Sequence, residues 1–383
     1  MAARKKSSKS RRRKEQPEYF FDYSLLFIVL FLLGFGLVMV YSASSYEAMD
    51  TYGDAKYYLK RQFIADILGV IAMIIVARIP YHLWERFATL SYGVAVALIL
   101  LIIPFGNGTR GAKRWIAIPG TGFNIQPAEV AKLCLILFMA ATVCKIGKRV
   151  SSTKGFVVMM LIPMPLVILI KQVTNNLSSA LIILGIALLM VFVASPDYKK
   201  FIIMGLLAVA AVALLVVAIV NMDSVEGFRS ARIIAWLDPE SQSQDTGFQT
   251  LQGLYAIGSG GIWGKGLGQS MQKLNFLPEA QNDMIFSIIC EELGLFGAFA
   301  IILMFVMLLW RMMVIANNAS DLFGALLVVG VMGHIAIQAV LNIAVVTNTI
   351  PNTGVSLPFI SYGGSSVIFL LIEVCLVLSV AGR

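Results

Sequence analysis

The stretch LNFLPEAQNDMIFSIICEELG (274–294) gathers four carboxylates, Glu279, Asp283, Glu291 and Glu292, where polar sequence gives way to a long apolar run. The chain has two histidines, His82 and His334. A histidine triad or a multi-histidine metal site is therefore disfavoured, and proton transfer falls to carboxylates and lysines. Two readings are open for Asp283: it caps the helix that follows, or it sits at a water–membrane boundary to take a proton from a substrate hydroxyl. Glu291 and Glu292 lie deeper in the run. Acids at that depth must pair with a cation such as Lys132 or line a polar cavity.

Other polar groups fall into a few motifs. In QPAEVAKL (126–133), Pro127 suits a first helical turn and Glu129 with Lys132 forms an i,i+3 pair that serves either as a structural ion pair or as a substrate contact. The loop before it carries Arg110, Lys113, Arg114 and Trp115 among glycines, which fits a basic interfacial loop or a site for an anion. Lys56, Lys60 and Arg61 form a second basic group, and Arg229, Arg232, Lys265 and Lys273 a third. They meet something anionic, snorkel, or pair with Asp50, Asp54, Asp223 or Glu226. AIGSGGIWGKGLGQS (256–270) fails as a nucleotide loop because Gly266 follows Lys265 where Ser or Thr is needed, and it reads as a flexible loop able to approach other backbone closely. Gln338 and Asn342 lie one turn apart. NIAVVTNTIPNTGVSLPFISYGGSS (342–366), with Ser361 and Ser365 in its run of hydroxyls, predicts broken helical geometry around a wet cavity.

The elements that must hold these groups are membrane helices. The chain is 58% apolar and 13% charged, a balance outside the range of soluble domains. Apolar runs of spanning length lie near 23–43, 62–78, 88–104, 126–144, 155–170, 176–195, 201–220, 284–309, 322–346 and 357–381. An all-α polytopic membrane protein of about ten helices is expected, with a basic tail (1–22), a membrane domain (23–383) and a long extracellular connection (221–283). Much of the net charge of +9 sits in the tail, which reads as a cytoplasmic anchor and not as a nucleic-acid site. The even number of runs returns the C-terminus to the cytoplasmic side, and no signal peptide precedes the first run. Within 221–283, the segments 229–238 and 248–258 space apolar residues as helices lying at the membrane surface do. The four cysteines show no paired spacing for a disulfide framework or a metal site.

Three of these motifs in their order, QPAEVAKL, the series GSGGIWGKGLGQS, LPEAQNDMIF and EELG, and PNTGVSLPFISYGGSS, resemble the shape, elongation, division and sporulation (FtsW/RodA) family over nearly the whole chain after the tail. The resemblance implies a peptidoglycan glycosyltransferase that joins lipid II units on the outer face and releases undecaprenyl pyrophosphate. It also implies a class B penicillin-binding transpeptidase and other division proteins as partners. Asp283 matches the family's essential aspartate, and by that match it is the base on the acceptor 4-hydroxyl. Arg110, Lys113, Arg114 and Lys273 are then candidates for offsetting leaving-group charge. Trp115, Glu129, Lys132, Glu279, Gln338, Asn342, Ser361 and Ser365 complete the expected substrate-binding set. A divalent cation, magnesium or manganese, could share the task, although no dedicated site is visible.

The sequence departs from the family pattern at two places. NNLSSA puts Asn176 where relatives carry an acid, and Gln281 and Asn282 stand where many have His and Thr. YSASS (41–45) looks more like the division-type members than the elongation-type ones. A flippase for lipid-linked precursors and a non-catalytic division scaffold are the competing readings. Intramembrane Glu129, Lys132, Glu292 and Glu373 prompt the first.

Overall fold

The computed structural model describes residues 22–108, 113–118, 120, 124–220, 228–240 and 247–382. The basic tail and Arg110 therefore lie outside the described residues, as do Asp223 and Glu226. Among the described residues the helices are α1 (Tyr23–Tyr52), α2 (Tyr57–Ala77), α3 (Tyr81–Phe105), α4 (Pro127–Ile146), α5 (Thr153–Leu161), α6 (Met164–Thr174), α7 (Leu177–Ala194), α8 (Tyr198–Val220), α9 (Phe228–Leu237), α10 (Phe248–Gly260), α11 (Ile285–Asn317), α12 (Leu322–Val346) and α13 (Gly364–Ala381). Among the described residues eight spans are long and apolar enough to cross a membrane, with α5 and α6 counted as one. With α2, whose Lys60, Arg61 and Asp66 lower its apolarity, and α8, they account for the ten predicted runs.

The run at 155–170 is broken where one helix was expected. Pro163 and Pro165 interrupt the helical hydrogen bonds, and the hydroxyl of Tyr92 on α3 donates to the carbonyl of Ile162 at the break, at 2.6 Å. The loop after α3 also departs from the all-helical expectation. It forms a small antiparallel sheet of β1 (Gly106–Asn107), β2 (Trp115–Ala117) and β3 (Asn124–Ile125), with Gly106 opposite Ile116 and Ile116 opposite Ile125.

Helices α12 and α13 form the centre. α12 packs on α4, α7 and α11, and α13 packs on α2, α4 and α12. Both are apolar around most of their circumference, the pattern of helices surrounded by other helices. The segment 347–363 between them is irregular and folds back against α1. A side chain at Gly36 would lie 2.7 Å from the Phe359 carbonyl oxygen, so only glycine admits that approach. The two short helices expected after α8 are present as α9 and α10. α9 is docked on 347–363: Trp236 Nε1 donates to the Asn348 carbonyl at 3.0 Å, and Asn348 Nδ2 returns a bond to the Trp236 carbonyl at 3.2 Å. At the opposite end of the bundle Arg311, in the last turns of α11, pairs with Asp22 at 2.7 Å.

Candidate active site

Asp283 lies in the turn before α11, outside the spanning segment, and it does not cap that helix. Met284 occupies the cap position without a side-chain bond. The turn is held by its main chain. Asn342 Nδ2 donates to the Asp283 carbonyl and to the Val355 carbonyl, each at 2.7 Å. Ser361 Oγ donates to the Asn282 carbonyl at 2.6 Å while accepting from the Leu357 amide at 2.8 Å. The Tyr362 amide donates to the Gln281 carbonyl at 2.9 Å. The re-entrant segment 347–363 is thus the template on which the Asp283 turn is set. Glu279 and Phe359 carry φ values of 57° and 63°, a left-handed conformation that costs non-glycine residues about 1–3 kcal/mol and clusters at working sites.

The half-buried Asp283 carboxylate is held less tightly than the carbonyls of its turn. Gln249 on α10 donates to Oδ1 at a long 3.5 Å, and that amide is itself held by Asn352 Nδ2 at 2.9 Å. A Cβ at Gly354 would sit 3.6 Å from Oδ2, so backbone closes one side. Burial and the neighbouring Glu279 push the Asp283 carboxyl up to about 7, against the pull of its own backbone amide, of Arg232 and of the Gln249 hydrogen bond. A carboxyl that titrates near neutrality, with its own backbone amide and the long Gln249 contact as donors, is a competent base.

Two buried ion-pair groups brace the site. Glu291 accepts from Lys265 at 2.7 Å, the Met271 amide at 3.0 Å and the Ser270 hydroxyl. Glu292 pairs with Lys273 at 2.9 Å and accepts from Ser42 on α1 at 2.6 Å. Their cations are therefore Lys265 and Lys273, and Lys132 belongs to another pair. The glycine loop is fastened, where a flexible one was expected. The amides of Lys265 and Gly266 donate to the Glu291 and Glu292 carbonyls, both at 2.9 Å. A Cβ at Gly264 would meet the Glu292 carbonyl oxygen at 2.2 Å, and one at Gly294 would meet the Gly264 nitrogen at 2.3 Å. Gly294, with φ 67°, breaks α11 there.

The second group is Glu129 with Lys132, paired at 2.8 Å and buried, as the i,i+3 spacing suggested. Lys132 also donates to Gln338 Oε1 at 3.4 Å, and Gln338 Nε2 donates to the Ser356 carbonyl at 3.1 Å. Gln338 and Asn342 thus bind the re-entrant segment and do not simply bridge two helices. Ser366 donates to Glu129 at 3.3 Å, and Ser365 Oγ is buried without a partner among the described residues.

The basic loop stands apart from this network. Lys113 is exposed and donates to the Ile103 carbonyl at 3.3 Å, and half-buried Arg114 donates to the Thr174 carbonyl at 3.4 Å. Trp115 is half-buried in β2. Among the described residues no hydrogen bond or ion pair links these three to Asp283. Asn176 caps α7 by accepting from the Ser179 amide at 3.1 Å, a structural duty for this side chain. Nor do three His, Cys, Asp or Glu side chains converge among the described residues, so the groups present do not make a protein-built cage for a divalent cation. Gln249 and Asn352 were not singled out from the sequence, whereas Gly354 was marked only as one of the breakers in the 342–366 loop. Their only signal was polar residues within an amphipathic helix and an Asn-Thr-Gly turn.

The model of the FtsW, RodA and SpoVE cell cycle proteins matches residues 23–383. The chain belongs to the FtsW/RodA/SpoVE family. Its FtsW/RodA/SpoVE relatives include a probable peptidoglycan glycosyltransferase FtsW of Geobacter metallireducens, 43% identical with 95% of each chain covered. Another is stage V sporulation protein E of Bacillus subtilis, 39% identical over 94% of this chain and 96% of that one. Among solved structures, the rod shape determining protein RodA of Thermus thermophilus is similar with a TM-score of 0.68 at 25% identity, covering 94% and 96% of the two chains. A chain from a structure described as the coordination of polymerization and crosslinking by a peptidoglycan synthase complex reaches a TM-score of 0.76 at 25% identity, covering 94% and 97%.

Proposed function

We propose that this multi-pass peptidoglycan glycosyltransferase polymerises lipid II into glycan strands on the outer face of the cytoplasmic membrane, with Asp283 as the general base. The observation that carries the reading is a contrast in the 281–283 turn: its three carbonyls are fastened by the Tyr362 amide, Ser361 and Asn342, while the Asp283 carboxylate has its own backbone amide and the long Gln249 contact as hydrogen-bond donors. The acceptor's 4-hydroxyl gives its proton to Asp283 as its oxygen bonds to the donor's anomeric carbon. The bond from that carbon to the pyrophosphate oxygen breaks, and undecaprenyl pyrophosphate leaves with inversion. Lipid anchors keep both sugars at the boundary, which lowers the entropic cost of bringing them together.

Arg110, Lys113 and Arg114 remain the candidates for the leaving pyrophosphate. Lys273 is a weaker one, since its ammonium is engaged by Glu292, and Arg232, whose charge acts on Asp283, joins the set. The basic tail and both termini are assigned to the cytoplasm. The likeness to a chain of a peptidoglycan synthase complex supports work beside a class B transpeptidase, and the FtsW relatives support a division role. The test is lipid II polymerisation by the purified pair. Asp283→Asn, nearly isosteric, is expected to lower the rate by at least about a hundredfold, the usual worth of a positioned base, while the protein still inserts. Polymer at the wild-type rate would refute the assignment.

A further inference from the structure

At the end of the bundle where α1 begins, opposite Asp283, α1, α2 and α13 enclose a cleft of about 570 Å³. Leu26 and Leu30 on α1 form one wall, Leu378 on α13 the other, and Val70, Met73 and Ala77 on α2 the floor. Met73 and Leu378 are buried, while Leu30 and Ile74 at the rim are 43% and 51% exposed. From Val70 to Arg78 the cleft follows α2 for roughly 12 Å at about 1.5 Å per residue. Walls of this kind suit a hydrocarbon chain and offer a polar ligand no partner.

One end of the cleft differs, because Arg78, Ser379 and Gly382 line it there. Two of the three have their polar groups engaged: Ser379 Oγ donates to the Ile79 carbonyl at 3.0 Å, and the Gly382 amide donates to the Leu378 carbonyl at 3.1 Å. The exposed Arg78 guanidinium makes no ion pair or hydrogen bond with any described residue. Asp22, the acid one turn before Leu26, is buried and already held by Arg311 at 2.7 Å and by the Leu25 amide at 2.9 Å. A guanidinium fork at the end of an apolar trough is complementary to an amphiphile whose chain ends in a phosphate. Anionic lipids give the cytoplasmic leaflet its negative surface, and the orientation proposed above puts this end of the bundle there.

We propose that this cleft is a phospholipid site, occupied by one acyl chain of an anionic phospholipid whose phosphate lies on Arg78. The site is independent of the reaction assigned to Asp283, and only the leaflet it faces rests on the proposed orientation. A chain seated there bridges α1 and α13 across the cleft. It thereby braces the helix whose Ser42 bonds Glu292.

The test uses the full chain, stripped of co-purifying lipid in detergent and offered equal amounts of dioleoyl phosphatidylglycerol and dioleoyl phosphatidylcholine. Native mass spectrometry reads the lipids retained. The parent is expected to keep one phosphatidylglycerol at least about tenfold in preference, the worth of a charge-assisted hydrogen bond, and to gain thermal stability from it. Arg78→Gln removes both the preference and the gain. Arg86→Gln, which removes an exposed cation on α3 outside the cleft, leaves both in place and so separates a built site from general attraction to a basic face. Ala77→Trp fills the floor and lowers the number of lipids kept by one with Arg78 intact, which decides the matter if Arg78→Gln does not fold. The site is overturned by a preference unchanged in Arg78→Gln or lost in Arg86→Gln, by a full lipid count in Ala77→Trp, or by a parent that keeps both lipids equally. Undecaprenyl phosphate winning against phosphatidylglycerol in the same competition also overturns it, because the occupant would then be a polyprenyl chain and not a membrane phospholipid.

Discussion

Asn342 on α12 joins the catalytic turn to the re-entrant segment with one nitrogen: its Nδ2 donates to the Asp283 carbonyl and the Val355 carbonyl, both at 2.7 Å. The height of Asp283 relative to the bundle is therefore set by a helix remote in sequence. Asn342→Leu, which keeps the branching at Cγ but is bulkier and cannot donate, strands two carbonyls and removes about 1 kcal/mol of stabilisation for each lost bond. We expect a lower thermal midpoint and a kcat reduced more than tenfold. Polymerisation assays on protein held well below its midpoint check the second effect separately from the first.

The pH dependence follows from Asp283. Its carboxyl is raised to about 7 by burial and by Glu279, and the base must be ionised to accept a proton. Activity should therefore climb with pH through about 7 and level off above it. Glu279→Gln removes the like charge and should move that limb to lower pH. A limb that stays in place in this variant, measured as kcat/KM against pH, contradicts the pairing.

Stability carries the opposite sign. A carboxyl whose folded pKa lies above its unfolded value of 3.8 stabilises the fold only while protonated, so this contribution is full below the unfolded value and is lost as pH rises through the folded one. Asn at 283 cannot ionise. The thermal midpoint of Asp283→Asn should gain on the parent between the unfolded value of 3.8 and about 7 and hold a constant lead above that.

Lys273 and Glu292 offer a test of structural against substrate duty. Both are buried, with Lys273 8% and Glu292 0% exposed. Removing one partner of a buried pair typically costs about 3–5 kcal/mol because the other charge is left alone. Lys273→Met should lower the thermal midpoint sharply, and adding Glu292→Gln should restore much of it. If the double variant regains activity along with stability, Lys273 serves the fold; a stable but inactive double variant would return it to the leaving group.

Gly294→Ala should fail to accumulate as folded protein. Its φ of 67° and the Gly264 nitrogen 2.3 Å from any added Cβ leave neither the conformation nor the space. Size-exclusion of a fluorescent fusion from detergent-solubilised membranes gives the readout, with Gly34→Ala, which has nothing within 4 Å, as the tolerated control.

The helical frame was legible because spanning length and apolarity are local properties. The Glu129 and Lys132 pair was legible for the same reason, since spacing alone puts both on one face. The partners of Glu291 and Glu292 were not, because Lys265 and Lys273 reach them only after the glycine loop folds back on α11, and nothing local announces that return. The sheet 106–125 was hidden by its glycines, which carry no alternation of apolar and polar residues. Asp283 itself was visible at the edge of an apolar run. The choice between cap and free carboxylate depended on Asn342 and Ser361, which take over the main chain from elsewhere in the sequence.

The break at Gly294 also bears on how this protein enters the bilayer. The stretch 295–317 is about 35 Å long at roughly 1.5 Å per residue, enough by itself for a hydrocarbon layer of about 30 Å. The piece above the break, with Glu291 and Glu292, is then surplus to crossing. Insertion of this helix need not drag two acids through oil, and their pairing with Lys265 and Lys273 can wait until the flanking loop has arrived.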